Sequence, residues 1–265
     1  MPALLVPPRA LIGVLHLPPL PGSPRPGPAP AALLDRALRD AEALAEGGAG
    51  GCVVENLGDA PFAPDGVEPH VVAHMAVIAA AVVQRFGERL RVGVNVLRNA
   101  TLDALGVASA AGADFVRVNV LSGAMVTDQG LIQGRAREAL LYRRRLGGTC
   151  LVAADLLVKH ASPLAPLDIR QAARDAVRRG GADILIVTGP GTGQEADPGR
   201  LEAVRGAVPE APLWLGSGLT PENAARFAPL CDAAIAGTWL HAGGDLAAPL
   251  DPERVRRLVG AFARG

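Results

Sequence analysis

One lysine, Lys159, stands among the 26 basic residues of this 265-residue chain, and every other base is arginine. An ammonium can do what a guanidinium cannot. Desolvated, it sheds its proton near neutrality, forms an imine with a carbonyl, or sits as a compact charge beside a developing oxyanion. Four residues upstream lies Asp155. The string FVRVNV at 115–120 places Arg117 and Asn119 at alternate positions, and VNVL at 94–97 adds Asn95. Alternate residues of a strand share a face. Phe115, Arg117 and Asn119 therefore point one way and three valines the other. A guanidinium on a covered face needs a carboxylate, and Asp155 on the next apolar run is the expected partner. These groups form either a salt-bridged structural layer or the wall of a polar pocket that orients hydroxyl and carbonyl oxygens. Glu55 and Asp59, in VENLGD, are candidate proton carriers. Gly50-Gly51 just before them leaves open which of the two points inward. His16, at the end of an apolar run, is placed to touch a ligand.

The second chemistry is anion binding. Gly216-Ser217-Gly218 ends one apolar run and precedes Thr220-Pro221, and Gly237-Thr238 ends the next. Thr188-Gly189 and Thr192-Gly193 follow an earlier one. Glycine lets backbone N–H groups approach an anion closely, and a helix N-terminus adds favourable dipole charge. Asp128 lies in a segment bracketed by Gly123 and Gly134, a candidate lid. Metal chemistry is not expected, because His70 and His74, four apart, lack the glutamate of a zincin helix. Cys52, Cys150 and Cys231 lie far apart with no CxxC pair, as buried thiols of a reducing compartment would. No cofactor is implied.

The elements that must position these groups alternate. Apolar, Val-, Ile- and Leu-rich runs at 11–17, 52–57, 91–97, 114–120, 151–160, 184–189, 212–217 and 233–238 predict strands covered on both faces. Helical patterns fill 31–46, 69–86, 101–111, 135–146, 168–179, 198–208, 221–230 and 252–264. Three helices are announced by a cap residue followed by proline: Asp197-Pro198, Thr220-Pro221 and Asp251-Pro252. Gly-Ala-Asp recurs before two strands, at 112–114 and 181–183. Eight βα units predict an α/β fold, a (β/α)8 TIM barrel in one domain over 1–265 with 1–10 as an N-terminal extension. A doubly wound sheet would want GxGxxG after the first strand, where the chain instead reads PPLPGSPRPG. In a barrel the long strand-to-helix loops gather at one end, where sites are built.

Charge and composition exclude other classes. Acidic and basic residues balance at 26 each and aromatics are 3%, so neither phosphate backbone attraction nor a base-stacking platform is expected, and no nucleic acid partner. The longest apolar run, 75–83, is too short to span a bilayer, and the N-terminus lacks a cationic leader region. The expectation is a cytoplasmic protein without stable membrane insertion, with a small phosphorylated molecule as partner and homo-oligomerisation allowed.

Six strings, IGVLHLPPLPGSP (12–24), VENLGDAPF (54–62), GVNVLRN (93–99), RVNVL (117–121), TDQG (127–130) and ADLLVKH (154–160), resemble the BtpA family. The resemblance implies a barrel of phosphate-binding type. One cyanobacterial branch of that family is linked to photosystem I accumulation as a membrane-complex biogenesis factor, and another is grouped with sugar metabolism. It therefore implies an enzyme acting on a sugar phosphate (isomerase, epimerase, lyase or hydrolase) or, alternatively, a non-enzymatic assembly factor. It is also what singles out Asp155, Lys159 and the loop around Asp128 as catalytic candidates beside Glu55 and Arg117. His16, Asn95 and Asn119 would bind substrate, and Gly189, Gly193, Gly216, Ser217, Gly218, Gly237 and Thr238 the phosphate. Two departures stand out. Ala100-Thr101 follows Arg98-Asn99 where the family usually has aspartate. Trp239, Leu240 and His241 follow Gly237-Thr238 where it usually reaches a lysine; if that lysine helps hold a phosphate, weaker or more pH-dependent binding is expected here.

Overall fold

Strands covered on both faces need apolar side chains on both, and the eight Val-, Ile- and Leu-rich runs are buried along almost their whole length in the computed structural model, which describes residues 5–189, 191 and 193–265. Thr192 of the candidate phosphate loop lies outside the described residues. Among the described residues, eight parallel strands close into a barrel: β1 (Ala10–His16), β2 (Gly51–Glu55), β3 (Arg91–Asn95), β4 (Phe115–Val118), β5 (Leu151–Leu156), β6 (Ile184–Val187), β7 (Leu213–Leu215) and β8 (Ala233–Ala236). Each pairs with the next, and β8 closes on β1 with Ala10 opposite Ala233. The outer ring is α1 (Pro30–Glu46), α2 (Pro69–Phe86), α3 (Thr101–Ala111), α4 (Ala136–Arg145), α5 (Ile169–Arg174), α6 (Pro198–Ala207), α7 (Ala224–Phe227) and α8 (Pro252–Arg264), with a π-helical turn over Asp175–Arg179 after α5. By length and composition α2 is the one described helix that could cross a bilayer; here it packs between α1 and α3.

The Gly-Ala-Asp repeat has a mechanical reason. Gly112 and Gly181 take left-handed φ values of 71° and 68° and turn the chain toward the next strand. The following aspartate then clamps the neighbouring strand in both directions. Asp114 N–H donates to Val92 O while its carboxylate accepts from Val92 N–H at 2.8 Å, and Asp183 does the same to Val152. Asp232 repeats the device on Leu213 without the Gly-Ala signature. Each carboxylate also meets an arginine: Arg91, Arg143 and Arg205 respectively. Replacing Asp183 with alanine should cost about 1–2 kcal/mol, the value of a lost capping carboxylate with its half-exposed ion pair. Urea denaturation checks this, and an unchanged midpoint would make the clamp incidental.

The barrel interior divides into two layers. At the N-terminal end Phe115 and Trp214 meet edge to face with centroids 5.3 Å apart, and Val6 closes the floor beneath them. Gly93 makes room, since a Cβ there would lie 2.3 Å from the Phe115 ring. Polar groups collect above this plug, as the alternation of Phe115 with Arg117 requires.

Four segments depart from the sequence pattern. The fifth strand stops at Leu156 rather than running to His160, because Leu157 and His160 adopt left-handed φ values of 50° and 56°. Lys159 therefore does not face inward by strand parity; a turn delivers it, held by an Arg98 hydrogen bond to the Lys159 carbonyl at 2.5 Å. The fourth strand ends at Val118, so Asn119 lies beyond it. Thr220-Pro221 opens no helix. Asn223 accepts from Thr220 N–H at 2.8 Å and donates to Gly218 O at 2.8 Å, a side-chain turn that competes with helix, and α7 is left with four residues. Finally, the candidate lid is a hairpin of Ala124–Thr127 and Gly130–Gln133, to which Ala161–Pro163 adds a third antiparallel strand.

Candidate functional site

At the C-terminal ends of the strands a cavity of about 210 Å³ is walled on one side by His16, Glu55, Arg117 and Lys159 and on the other by Gly193, residues 216–220, Gly237 and Thr238. β1 and β2 place His16 and Glu55 side by side in register, with His16 Nε2 3.9 Å from Glu55 Oε1. Gly237 is required for this, because a Cβ there would lie 2.6 Å from the His16 ring. Glu55, not Asp59, is the inward carboxylate. Asp59 accepts from Leu20 N–H at 2.8 Å and from Asn56 at 3.0 Å, which fastens the first loop to the second.

Glu55 is buried, which pushes its carboxyl up. His16 in its protonated form, the charges of Arg117 and Lys159, and a 2.6 Å hydrogen bond from Asn95 outweigh this and hold it below the ordinary carboxylate value. Asn95 thus reaches the cavity through Glu55. His16 is pushed down from 6.5 to about 4, chiefly by burial, so it is neutral at physiological pH. Burial and the Arg117 charge likewise lower the Lys159 ammonium. Among the described residues, Lys159 Nζ makes no hydrogen bond or ion pair.

Arg117 donates from Nε and a terminal nitrogen to both oxygens of Asp155, each at 3.0 Å. Burial opposes its charge, but Asp155 and Glu55 raise the guanidinium above its ordinary value. Asn119 Nδ2 takes the remaining face of Asp155 at 2.6 Å. Asp155 is therefore committed to orienting Arg117, and it borders a neighbouring cavity rather than the main one. Asn119 borders that second cavity too, and among the described residues its buried Oδ1 has no partner. Asp128 is exposed at the hairpin turn, where Gln129 donates to it, and does not line either cavity.

On the anion side, Ser217 and Gly218 N–H groups donate to no other described residue. Gly218 has φ 76°, and a Cβ would collide with the backbone of Gln194 and Glu195. The Ser217 hydroxyl is spent inside the protein, accepting from Gly189 N–H at 3.0 Å and donating to Gln194 O at 3.2 Å. Gly189 thereby buttresses the cradle from behind it. Among the described residues no group of His, Cys, Asp and Glu could hold a metal. Burial pushes the thiols of Cys52, Cys150 and Cys231 up to about 12, which keeps them unreactive.

Residues 8–264 match the BtpA family. The chain belongs to that family. It is 41% identical over 261 residues to the photosystem I biogenesis protein BtpA of Synechocystis sp., covering 96% of this chain and 88% of that one. An uncharacterised protein of Pyrococcus abyssi is 40% identical over 251 residues, 95% of each chain. The fold is similar to that of N-(5'-phosphoribosyl)anthranilate isomerase from Pyrococcus furiosus, with TM-score 0.58 and 11% identity over 97% of this chain and 100% of that one. A native KDPGal structure gives TM-score 0.58 and 17% identity over 96% and 92%. Identities this low speak for the fold alone.

In this BtpA-family chain two residues that the sequence did not single out as site residues belong to the site, Arg254 at the cavity and His241 behind His16. Arg254, in the first turn of α8, lines the cavity, donates from Nε to Trp239 O at 2.6 Å and lies 4.3 Å from the centre of the Trp239 ring. Its only sequence signal was the Asp251-Pro252 start of that helix. His241, fully buried, hydrogen-bonds His16 at 3.2 Å. It is one of the three residues that follow Gly237-Thr238.

Proposed function

We propose that this protein is an enzyme acting on a small phosphorylated, sugar-like compound. The observation that carries this reading is the two-sided cavity: backbone amides and a guanidinium along one wall, a carboxylate, a neutral imidazole and a desolvated ammonium along the other. The amides of Ser217 and Gly218, with Gly193, Gly237, Thr238 and Arg254, would take the phosphate, Arg254 supplying the cation that the Trp239-Leu240-His241 stretch lacks. Arg117, oriented by Asp155 and Asn119, would hold a carbonyl or hydroxyl oxygen. Glu55 would move a proton, and Lys159 would stabilise developing negative charge or form an imine. An isomerase, epimerase, lyase or hydrolase uses such a set. Asp128 on the hairpin would meet the substrate only by closure of that sheet.

Calorimetric titration with inorganic phosphate and a panel of aldose and ketose phosphates tests the reading. Phosphate esters should bind in preference to the free sugars, and Arg254→Gln should weaken them about tenfold or more, the worth of a charge-assisted hydrogen bond. Equal binding of sugars with and without phosphate would overturn the proposal. The competing reading is a non-enzymatic role in assembling a membrane complex; the name of the Synechocystis relative is that of a photosystem I biogenesis protein. The apolar helix α2 offers it a surface, and liposome flotation of the whole protein separates the two.

A further inference from the structure

We propose that His241 is a positioning residue that fixes the proton of His16 on Nδ1, so that His16 Nε2 and Glu55 Oε1 form a paired acceptor for adjacent hydroxyls of the ligand. The choice of hydroxyl ligand rests on the phosphosugar reading above; the tautomer does not.

The proton positions follow from a carbonyl. Ala248 O lies 2.7 Å from His241 Nδ1 and can only accept, so His241 Nδ1 must carry a hydrogen. Arg36 donates to the same oxygen at 2.5 Å and is itself held by the buried Asp40, which also accepts from Leu250 N–H. The carbonyl is therefore fixed on both lone pairs. Asp40, Arg36 and Asp245 are the charges facing His241, and burial, the largest influence, lowers its basicity. A neutral His241 with its hydrogen on Nδ1 has a bare Nε2. That Nε2 is 3.2 Å from His16 Nδ1, which must donate to it. The only ring nitrogen left to His16 is Nε2, also bare, and it faces Glu55 Oε1 at 3.9 Å.

Two lone-pair atoms at that distance, with no hydrogen between them, repel unless a donor is supplied. Glu55 Oε2 is already served by Asn95, so Oε1 is the oxygen left wanting. A vicinal diol presents one O–H to each acceptor. Both then sit on groups able to draw a proton from the ligand, with Arg117 and Lys159 on the same wall to balance the charge.

Histidine-15N-labelled protein, observed through long-range proton–nitrogen couplings near pH 7.5 without ligand, tests the chain of hydrogens directly. His16 and His241 should both show a protonated Nδ1 and a bare Nε2. His241→Leu should release His16 into a mixture of tautomers, and His241→Gln, whose side-chain oxygen can accept from Nδ1, should restore the single form. A His16 proton on Nε2 in the unmutated protein overturns the proposal, as does a His16 signature untouched by His241→Leu. If His241→Leu does not fold, the spectrum of the unmutated protein decides alone. For the clamp, glycerol 3-phosphate should bind about tenfold more tightly than 3-hydroxypropyl phosphate, which lacks one of the two adjacent hydroxyls, and should shift His16 Nε2. Equal affinity of the two esters overturns the clamp. Failure of inorganic phosphate itself to bind faults the phosphate reading instead, and the tautomer result is independent of it.

Discussion

Asp155→Ala should destabilise the protein by about 3–5 kcal/mol, because it strands a guanidinium in the barrel. The Asp155 side chain has no exposed surface and that of Arg117 only 3%. The aromatic plug of Phe115 and Trp214 lies below Arg117 and bars water from that side. Asn119 Nδ2 would lose its acceptor in the same stroke. Glu55 offers Arg117 some compensation, but its Oε2 is already engaged by Asn95. The double variant Arg117→Met, Asp155→Asn should recover most of the loss, since no charge is then left unpaired and the amide oxygen that replaces the carboxylate can still accept from Asn119. This variant should not recover ligand binding, because Arg117 is the member of the pair that reaches the cavity. Urea unfolding followed by the fluorescence of the two tryptophans measures the first effect, and phosphate-ester titration the second. A cost below about 1 kcal/mol for Asp155→Ala would mean that water reaches the guanidinium and that the pair is not the buried strut its geometry describes.

The barrel was legible because its signals are local and repeated: eight apolar runs, cap-proline pairs, and glycines that turn into strands. Strand parity placed Phe115 and Arg117 inside, and the same alternation made Asp155 the expected partner. Parity stops being informative where a strand stops. Asn119 and Lys159 both lie past the ends of their strands, and the left-handed residues Leu157 and His160 that bend the chain there carry no glycine to announce the bend. Glu55 and Asp59 could not be ranked from sequence, because the choice rests on a contact between Asp59 and Leu20 across 39 residues. The Ser217 hydroxyl and the Gly189 N–H looked like ligand groups by composition, yet they bond to each other. Arg254 and His241 were missed for the converse reason. Their neighbours in the chain, the Asp251-Pro252 helix start and the Gly237-Thr238 turn, say nothing of where they point, and only closure of β8 on β1 brings α8 and the last loop over His16.

Acid should unfold this protein through His16 before any carboxylate matters. Burial moves that imidazole from 6.5 to about 4. As pH falls through 6.5 the unfolded chain takes up a proton at His16 that the native protein refuses until about pH 4. In that window the unfolded state binds more protons, so stability rises with pH and is lost on acidification, by about 1.4 kcal/mol per pH unit and about 3 kcal/mol in all. Glu55 has the same sign but acts lower. Its native value lies below the ordinary 4.5, so its contribution is intact above that and fades only beneath it. Lys159, lowered from 10.5, steepens the curve only on the alkaline side, where the unfolded chain holds the extra proton. His241 and His160 are also lowered and leave a smaller slope of their own. His16→Gln should therefore remove about 2 kcal/mol of the stability difference between pH 7 and pH 5, read as the change in urea midpoint. If the variant keeps the full acid slope, His16 is protonated in the native state. A protonated His16 would turn its Nε2 into a donor toward Glu55 and leave no bare nitrogen for a ligand hydroxyl, so the same titration bears on the chemistry of the cavity as well as on the stability of the barrel that holds it.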